Sequence, residues 1–283
     1  MQLIHSIEAM RDWTRSQRAS GKTTGFVPTM GYLHEGHLSL VEIAKARADA
    51  VVVSIFVNPT QFGPGEDLDR YPRDFARDER LCREAGVEVL FYPEASTMYP
   101  PGYSTYVMEE ALGEGLCGAA RPGHFRGVTT VVTKLFNIVQ PDICVLGEKD
   151  AQQLRVLRRM TRDLNLPVEI VPGPTVRETD GLAMSSRNAM LAPEERAQAV
   201  WLHRALRAAS DAVARGERSV PRLRELVTNA LANATAGVVD YIAFVDDETM
   251  RPVEAVDAKT LLALAVRFPS ARLIDNLTLD PDQ

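Results

Sequence analysis

The amino-acid sequence predicts an α/β fold, a doubly wound parallel sheet followed by a smaller α+β carboxy-terminal domain. Three observations predict it. Short apolar runs bounded by turn residues alternate with stretches of helical spacing over roughly the first 170 residues. The cluster Pro172-Gly173-Pro174 then interrupts the pattern. Beyond it, two helical stretches are followed by three strand-like runs.

The buried strands are expected at Gly25 to Met30, Ala50 to Val57, Val87 to Tyr92, Asp142 to Gly147 and Val168 to Val171. Helices are expected between them, chiefly Leu38 to Ala48, Asp74 to Ala85, Val128 to Val139 and Gln152 to Leu164. Such alternation gives a parallel sheet covered on both faces, with ligands beyond the carboxyl ends of the strands. Past the Pro-Gly-Pro boundary, helices are expected around Pro193 to Gly216 and Val220 to Ala234. Strands follow at Val238 to Val245, Leu261 to Phe268 and Arg272 to Leu277. The expected division is therefore 1–174 for a binding domain and 175–283 for a second domain.

Composition bounds the function without naming it. With 45% hydrophobic and 25% charged residues the chain reads as globular, and 283 residues suffice for a substantial core. A net charge of −6 argues against a protein built to neutralise nucleic acid. Cys82, Cys117 and Cys144 stand singly, which fits neither a zinc site nor a disulfide framework and points to a reducing cytoplasm. The amino terminus carries no signal-peptide pattern, and no apolar run approaches membrane-spanning length.

The first buried strand runs into Pro28-Thr29-Met30-Gly31-Tyr32-Leu33-His34-Glu35-Gly36-His37, and a helix begins at once. Free backbone N–H groups and the helix dipole make such a terminus an anion site, and histidines three apart can point the same way. A lone histidine there more often caps or packs; two shift the reading toward phosphate. A zinc site would need a third ligand, which the neighbourhood does not offer.

Three other strand ends carry polar groups. Asn58-Pro59-Thr60-Gln61-Phe62-Gly63 places two neutral amides where they can hold hydroxyl or carboxylate groups, although alone it reads as a turn. Gly147-Glu148-Lys149-Asp150 leads into a helix carrying Gln153; Lys149 adds a point charge, where the bland reading is a solvated helix start. After the boundary, Met184-Ser185-Ser186-Arg187 offers two hydroxyls and a guanidinium able to meet charge developing on pyrophosphate, or else is a connecting loop.

The segments FVPTMGYLHEGH at 26–37, FVNPTQFG at 56–63, RPGHFRGV at 121–128, LGEKDAQQ at 146–153 and MSSR at 184–187 run in order along the whole chain. In these the sequence resembles the pantoate–β-alanine ligases, a family of the nucleotidyltransferase superfamily with HxGH and KMSKS-like signatures. Ala183 replaces the leading Lys of the wider KMSKS pattern, and Arg187 supplies the cation.

The resemblance implies a Rossmann-like binding domain, a carboxy-terminal lid domain, a homodimer, and ATP with Mg²⁺. The reaction it implies joins pantoate to β-alanine through a pantoyl adenylate, releasing pyrophosphate and AMP. Met30, Gly31, Tyr32, Leu33, His34, Glu35, Gly36, His37, Gly147, Glu148, Lys149, Asp150, Val176, Met184, Ser185, Ser186 and Arg187 would contact ATP. Gln61, Gln153 and Asn58 would hold pantoate or β-alanine, and His37, His34, Lys149 and Arg187 would carry catalysis. His124 and Arg126 fall in the matching segment 121–128, as pocket wall or as support. Competing readings are a nucleotidyltransferase whose product keeps AMP, a nucleotide-binding regulatory module without turnover, and an aminoacyl-tRNA synthetase. The last is disfavoured by the missing anticodon appendage.

Overall fold

The computed structural model describes residues 1–282; Gln283, the last residue of the expected second domain, lies outside them. The chain opens with two elements that the apolar runs do not announce, strand β1 (Gln2–Ile4) and helix α1 (Ile7–Ala19). The signal is there in finer detail. Ser6 caps α1 by accepting the Ala9 N–H at 3.2 Å. Ile7, Met10, Trp13 and Thr14 recur at helical spacing and face the core.

Five strands then form where the apolar runs lie, with ends moved by one or two residues: β2 (Thr24–Thr29), β3 (Ala50–Ile55), β4 (Val89–Phe91), β5 (Ile143–Gly147) and β6 (Glu169–Gly173). Between them lie helices α2 (Glu35–Lys45), α3 (Phe75–Glu84), the single turns α4 (Ala95–Met98) and α5 (Cys117–Ala120), then α6 (His124–Val139) and α7 (Ala151–Asp163). Helices α2 and α6 start at Glu35 and His124 rather than at the expected Leu38 and Val128. Apolar spacing marks only the turns that pack, while the polar first turns face the ligand side.

Among the described residues, six parallel strands form one sheet in the order β1-β4-β3-β2-β5-β6. The order reverses between β2 and β5, which opens a crevice at their carboxyl ends. Alternation along the strands feeds two layers. Val27, Val51, Val53 and Val145 pack with Leu40, Val41 and Ala44 of α2 and Cys82 of α3 on one face. Phe26, Val52, Phe91 and Leu146 pack with α1, α6 and α7 on the other. Each such Leu or Val contributes about 1.5–3 kcal/mol on burial. Strand β3 is buried from end to end, as a central strand covered on both faces must be.

Pro172 and Gly173 are the last two residues of β6, so the Pro-Gly-Pro cluster closes the final strand of the parallel sheet. Strand β6 is the sheet edge, where a missing N–H is tolerated. The helical stretch from Pro193 is two helices, α8 (Pro193–Ala199) and α9 (Trp201–Ala214), joined at Val200 and followed by α10 (Val220–Leu231). Strands β7 (Val238–Asp246), β8 (Thr260–Arg267) and β9 (Arg272–Leu279) form an antiparallel sheet in that order.

The sequence Thr260-Leu261-Leu262-Ala263-Leu264-Ala265-Val266 is apolar almost throughout because both faces of β8 are covered. Leu262, Leu264 and Val266 pack with α9 and α10, while Leu261 and Ala263 join the core of the first domain. The antiparallel sheet therefore rests directly on the parallel-sheet domain. Arg155 of α7 reinforces the seam by pairing with Asp247. No helix among the described residues is long and apolar enough to cross a membrane.

Candidate active site

Strand β2 leads into a turn with two consecutive left-handed residues, Gly31 (φ 84°) and Tyr32 (φ 52°). A Cβ on Gly31 would lie 2.9 Å from Ile55 Cγ2 and 3.0 Å from Asp78 Oδ2, so both conformation and space require glycine. Asp78 of α3, 1% exposed, closes the turn by accepting the Tyr32 and Leu33 N–H groups, each at 2.7 Å. Burial raises the Asp78 pKa, and the Leu33 and Tyr32 N–H groups oppose that rise. Arg77 completes the clamp, donating to Leu33 O at 2.6 Å and lying over the Tyr32 ring.

His34 is the N-cap of α2, and the two histidines cap the helix reciprocally. His34 Nδ1 accepts the Gly36 N–H at 3.2 Å, and His37 Nδ1 accepts the His34 N–H at 3.3 Å. A Cβ on Gly36 would lie 2.9 Å from the His34 ring, so glycine is needed for this fold-back. The imidazoles occupy the N–H groups of Gly36 and His34, which narrows the expected set of free backbone donors at the helix start. Donors toward a ligand come also from the rings. With each Nδ1 accepting, a neutral imidazole carries its proton on Nε2, at the edge turned away from the helix start.

Both rings stay neutral at pH 7. Desolvation and then the Lys149 charge bring His34 down to about 4; desolvation, His34 and Lys149 hold His37 well below its ordinary value. The ring centroids are 4.1 Å apart, and two imidazolium ions at that distance would repel strongly.

The other motifs converge on the same crevice. A cavity of about 220 Å³ is lined by Met30, His34, Gly36, His37, Asn58, Gln61, Gly147, Lys149, Asp150, Gln153, Val176, Met184, Ser185, Ser186 and Arg187. It shares Lys149, Asp150, Gln153, Ser185 and Arg187 with a larger cavity of about 740 Å³ between the two domains. Five residues expected at the ligand do not line the smaller cavity. Gly31 and Tyr32 shape the turn, Leu33 is core at 2% exposure, Glu35 faces solvent, and Glu148 holds the next turn through its backbone.

Asn58 lines the cavity and is at the same time held within the protein. It is 1% exposed and fully engaged: its Nδ2 donates to Gln61 Oε1 at 3.0 Å and Gly127 O at 3.1 Å, while its Oδ1 accepts from Tyr99 and Thr60. It orients Gln61, whose Nε2 contacts Met30 Sδ at 3.2 Å. His124 supports the same turn. Arg121 Nη1 can only donate to His124 Nε2, so Nδ1–H donates to Gln61 O at 2.9 Å. Desolvation and the neighbouring Arg121 lower His124 to about 4. Arg126 is solvent-exposed against Tyr106, outside the crevice.

The Met184–Arg187 loop docks onto the histidine turn through Ser186 Oγ, which donates to Tyr32 O at 3.1 Å. Arg187 is not free. Its Nε and Nη2 reach Asp67 at 2.6 and 3.1 Å, and it lies over the Tyr71 ring. Burial alone would lower the Arg187 pKa, but Asp67 outweighs it and the net shift is upward. Asp67, absent from the motifs, thus holds the loop's cation. Lys149, by contrast, has its nearest carboxylate, Asp150, at 3.7 Å.

A parallel α/β sheet whose switch-point crevice gathers two neutral histidine donors, a lysine, a guanidinium and two amides is the architecture of a nucleotide-binding enzyme suited to stabilise charge on phosphate. Comparison with known proteins gives the particular family. The sequence model described as pantoate–β-alanine ligase matches residues 2–278, and the chain belongs to that family. The pantothenate synthetase of Heliobacterium modesticaldum is 58% identical over 280 residues, covering 99% of this chain and all of that protein. That of Geobacter sulfurreducens is 55% identical over the full length of both. Among solved structures, pantothenate synthetase from Thermus thermophilus superposes with a TM-score of 0.94 at 49% identity, over 99% of this chain and 100% of that one. The pantoate–β-alanine ligase of Francisella tularensis, complexed with β,γ-ATP and β-alanine, gives 0.83 at 31% identity over 100% and 98%.

Proposed function

We propose that the joined cavities carry out both halves of the family's reaction, condensing pantoate with β-alanine at the cost of ATP. The observation that carries this reading is the pair of neutral histidines beside Lys149 at the β2–β5 crevice, facing the amides of Gln61 and Gln153. Neutral amides hold a hydroxy acid without neutralising its carboxylate, which keeps that carboxylate nucleophilic.

In the first half, a carboxylate oxygen of pantoate attacks the α-phosphorus and the bond to the β,γ-pyrophosphate breaks. The Nε2–H groups of His34 and His37 and the ammonium of Lys149 meet the negative charge moving onto the leaving oxygens. Arg187 exchanges Asp67 for phosphate as the Met184–Arg187 loop engages. No covalent enzyme intermediate is needed; alignment and charge stabilisation supply the acceleration. In the second half, the amine of β-alanine attacks the acyl carbon, the amide forms, and AMP leaves with the former carboxylate oxygen.

Among the described residues no three carboxylates, imidazoles or thiols lie together as a metal cage. The donor set therefore suits Mg²⁺ that arrives with the triphosphate, held mainly by phosphate oxygens and water, with the half-exposed carboxylate of Asp150 within the cavity. Bound there, the ion would neutralise phosphate charge. The division at 174/175 into a binding domain and a lid, a cytoplasmic location and a homodimer belong to the same reading. Three buried free thiols support the location, and family resemblance supports the dimer. Sedimentation at the mass of a single 31.2 kDa chain would remove the dimer from it.

Oxygen labelling tests the chemistry. With both carboxylate oxygens of pantoate labelled, each turnover is expected to leave one label in AMP and one in the new amide. Unlabelled AMP would contradict attack by the carboxylate on the α-phosphorus.

A further inference from the structure

The catalytic lysine sits on a single 3-10 turn, Glu148–Asp150, between β5 and α7. The carbonyls of Glu148 and Lys149 are both taken by one side chain from the other domain. Asn276 Nδ2, on β9, donates to Glu148 O at 3.0 Å and to Lys149 O at 2.9 Å. A primary amide has two N–H groups, and here each has its own acceptor.

The preceding residue on β9 faces the opposite way, as strand alternation requires. Asp275, 1% exposed, accepts both Nη1 (2.7 Å) and Nη2 (2.9 Å) of Arg177. Arg177 also donates to Gly181 O at 3.1 Å and bridges Ala183, while the next pair along, Met184 N–H to Val176 O, is 3.0 Å. Two adjacent β9 residues thus hold the two loops that bring cations to the triphosphate, Asn276 the Lys149 turn and Asp275 the root of the Met184–Arg187 loop. Strand β9 is fixed in turn by eight register pairs with β8.

We propose that Asn276 is a positioning residue for Lys149, through which the carboxy-terminal sheet sets the lysine's place against the pyrophosphate leaving group. The inference rests on the role given to Lys149 above. Asn276 acts on the lysine by fixing the backbone from which the ammonium extends. An asparagine meets this need where an aspartate cannot, because a carboxylate would place negative charge against two carbonyl oxygens.

The test compares Asn276→Ala and the isosteric Asn276→Asp with Lys149→Ala, and with each double variant, in pantoate-dependent exchange of pyrophosphate into ATP. Misplacement by about 1 Å costs on the order of 100-fold in rate. Asn276→Asp is expected to lose about that, and Asn276→Ala about tenfold, with KM for pantoate and the melting temperature nearly unchanged. In the Lys149→Ala background the Asn276 substitutions are expected to add little, since the group they position is gone. Wild-type exchange in Asn276→Asp, or a full additional loss on top of Lys149→Ala, overturns the proposal while leaving the lysine's role intact. Wild-type exchange in Lys149→Ala itself overturns the reading of the site, and the proposal with it.

Discussion

Replacing His37 by alanine is expected to lower the rate of adenylate formation by about 100-fold or more, the loss typical of removing one aligned donor from a charge-stabilising site. Lys149→Ala is expected to lose at least as much, because it removes a full charge. Single-turnover measurement of pyrophosphate release, with ATP and pantoate saturating, is the appropriate check. His37 also caps α2 through its contact with the His34 N–H, so His37→Asn serves as the companion variant. It retains a side-chain acceptor for a cap but lacks the imidazole Nε2–H. If His37→Asn melts like the wild-type protein yet turns over at the alanine rate, the loss belongs to the donor; near-wild-type rates in both would remove His37 from the mechanism.

The largest effect on stability is expected at Asp78. Its carboxylate accepts the N–H groups of Tyr32 and Leu33 inside the protein. Asp78→Ala leaves both donors without a partner, at about 1–3 kcal/mol each. At about 2–4 °C per kcal/mol, thermal unfolding should report a fall of roughly 4–24 °C. Activity should fall too, since the turn that Asp78 closes carries His34 and His37. A melting temperature within a degree or two of wild type would show that the turn is held by other contacts.

The positions of His34, His37, Gln61, Lys149, Gln153 and the 184–187 loop were legible because each lies just past a strand or boundary, where a parallel sheet places its ligand. Apolar runs marked the strands for the same reason: β3 and β8 are covered on both faces and leave little polar residue to confuse the period. What the sequence concealed is what the fold brings from afar. Asp78 reaches Leu33 across 45 residues, Asp67 reaches Arg187 across 120, and Asn276 reaches Lys149 across 127. No local pattern distinguishes these three from ordinary surface polar residues. The bracing contacts of Asn58 are hidden for a related cause. A neutral amide at a strand end can face a ligand or brace its neighbours, and the packing of α6 against that turn, which supplies Gly127 O, is what lets Asn58 brace. Strand β1 leaves no readable run, because three residues with only Ile4 buried carry too little period.

In the proposed reaction, one crevice activates pantoate as its adenylate before the amine arrives. Exchange of labelled pyrophosphate into ATP tests it most directly. Exchange is expected with ATP and pantoate alone, none when pantoate is left out, and AMP release only once β-alanine is added. Exchange independent of pantoate, or exchange that requires β-alanine, would contradict it.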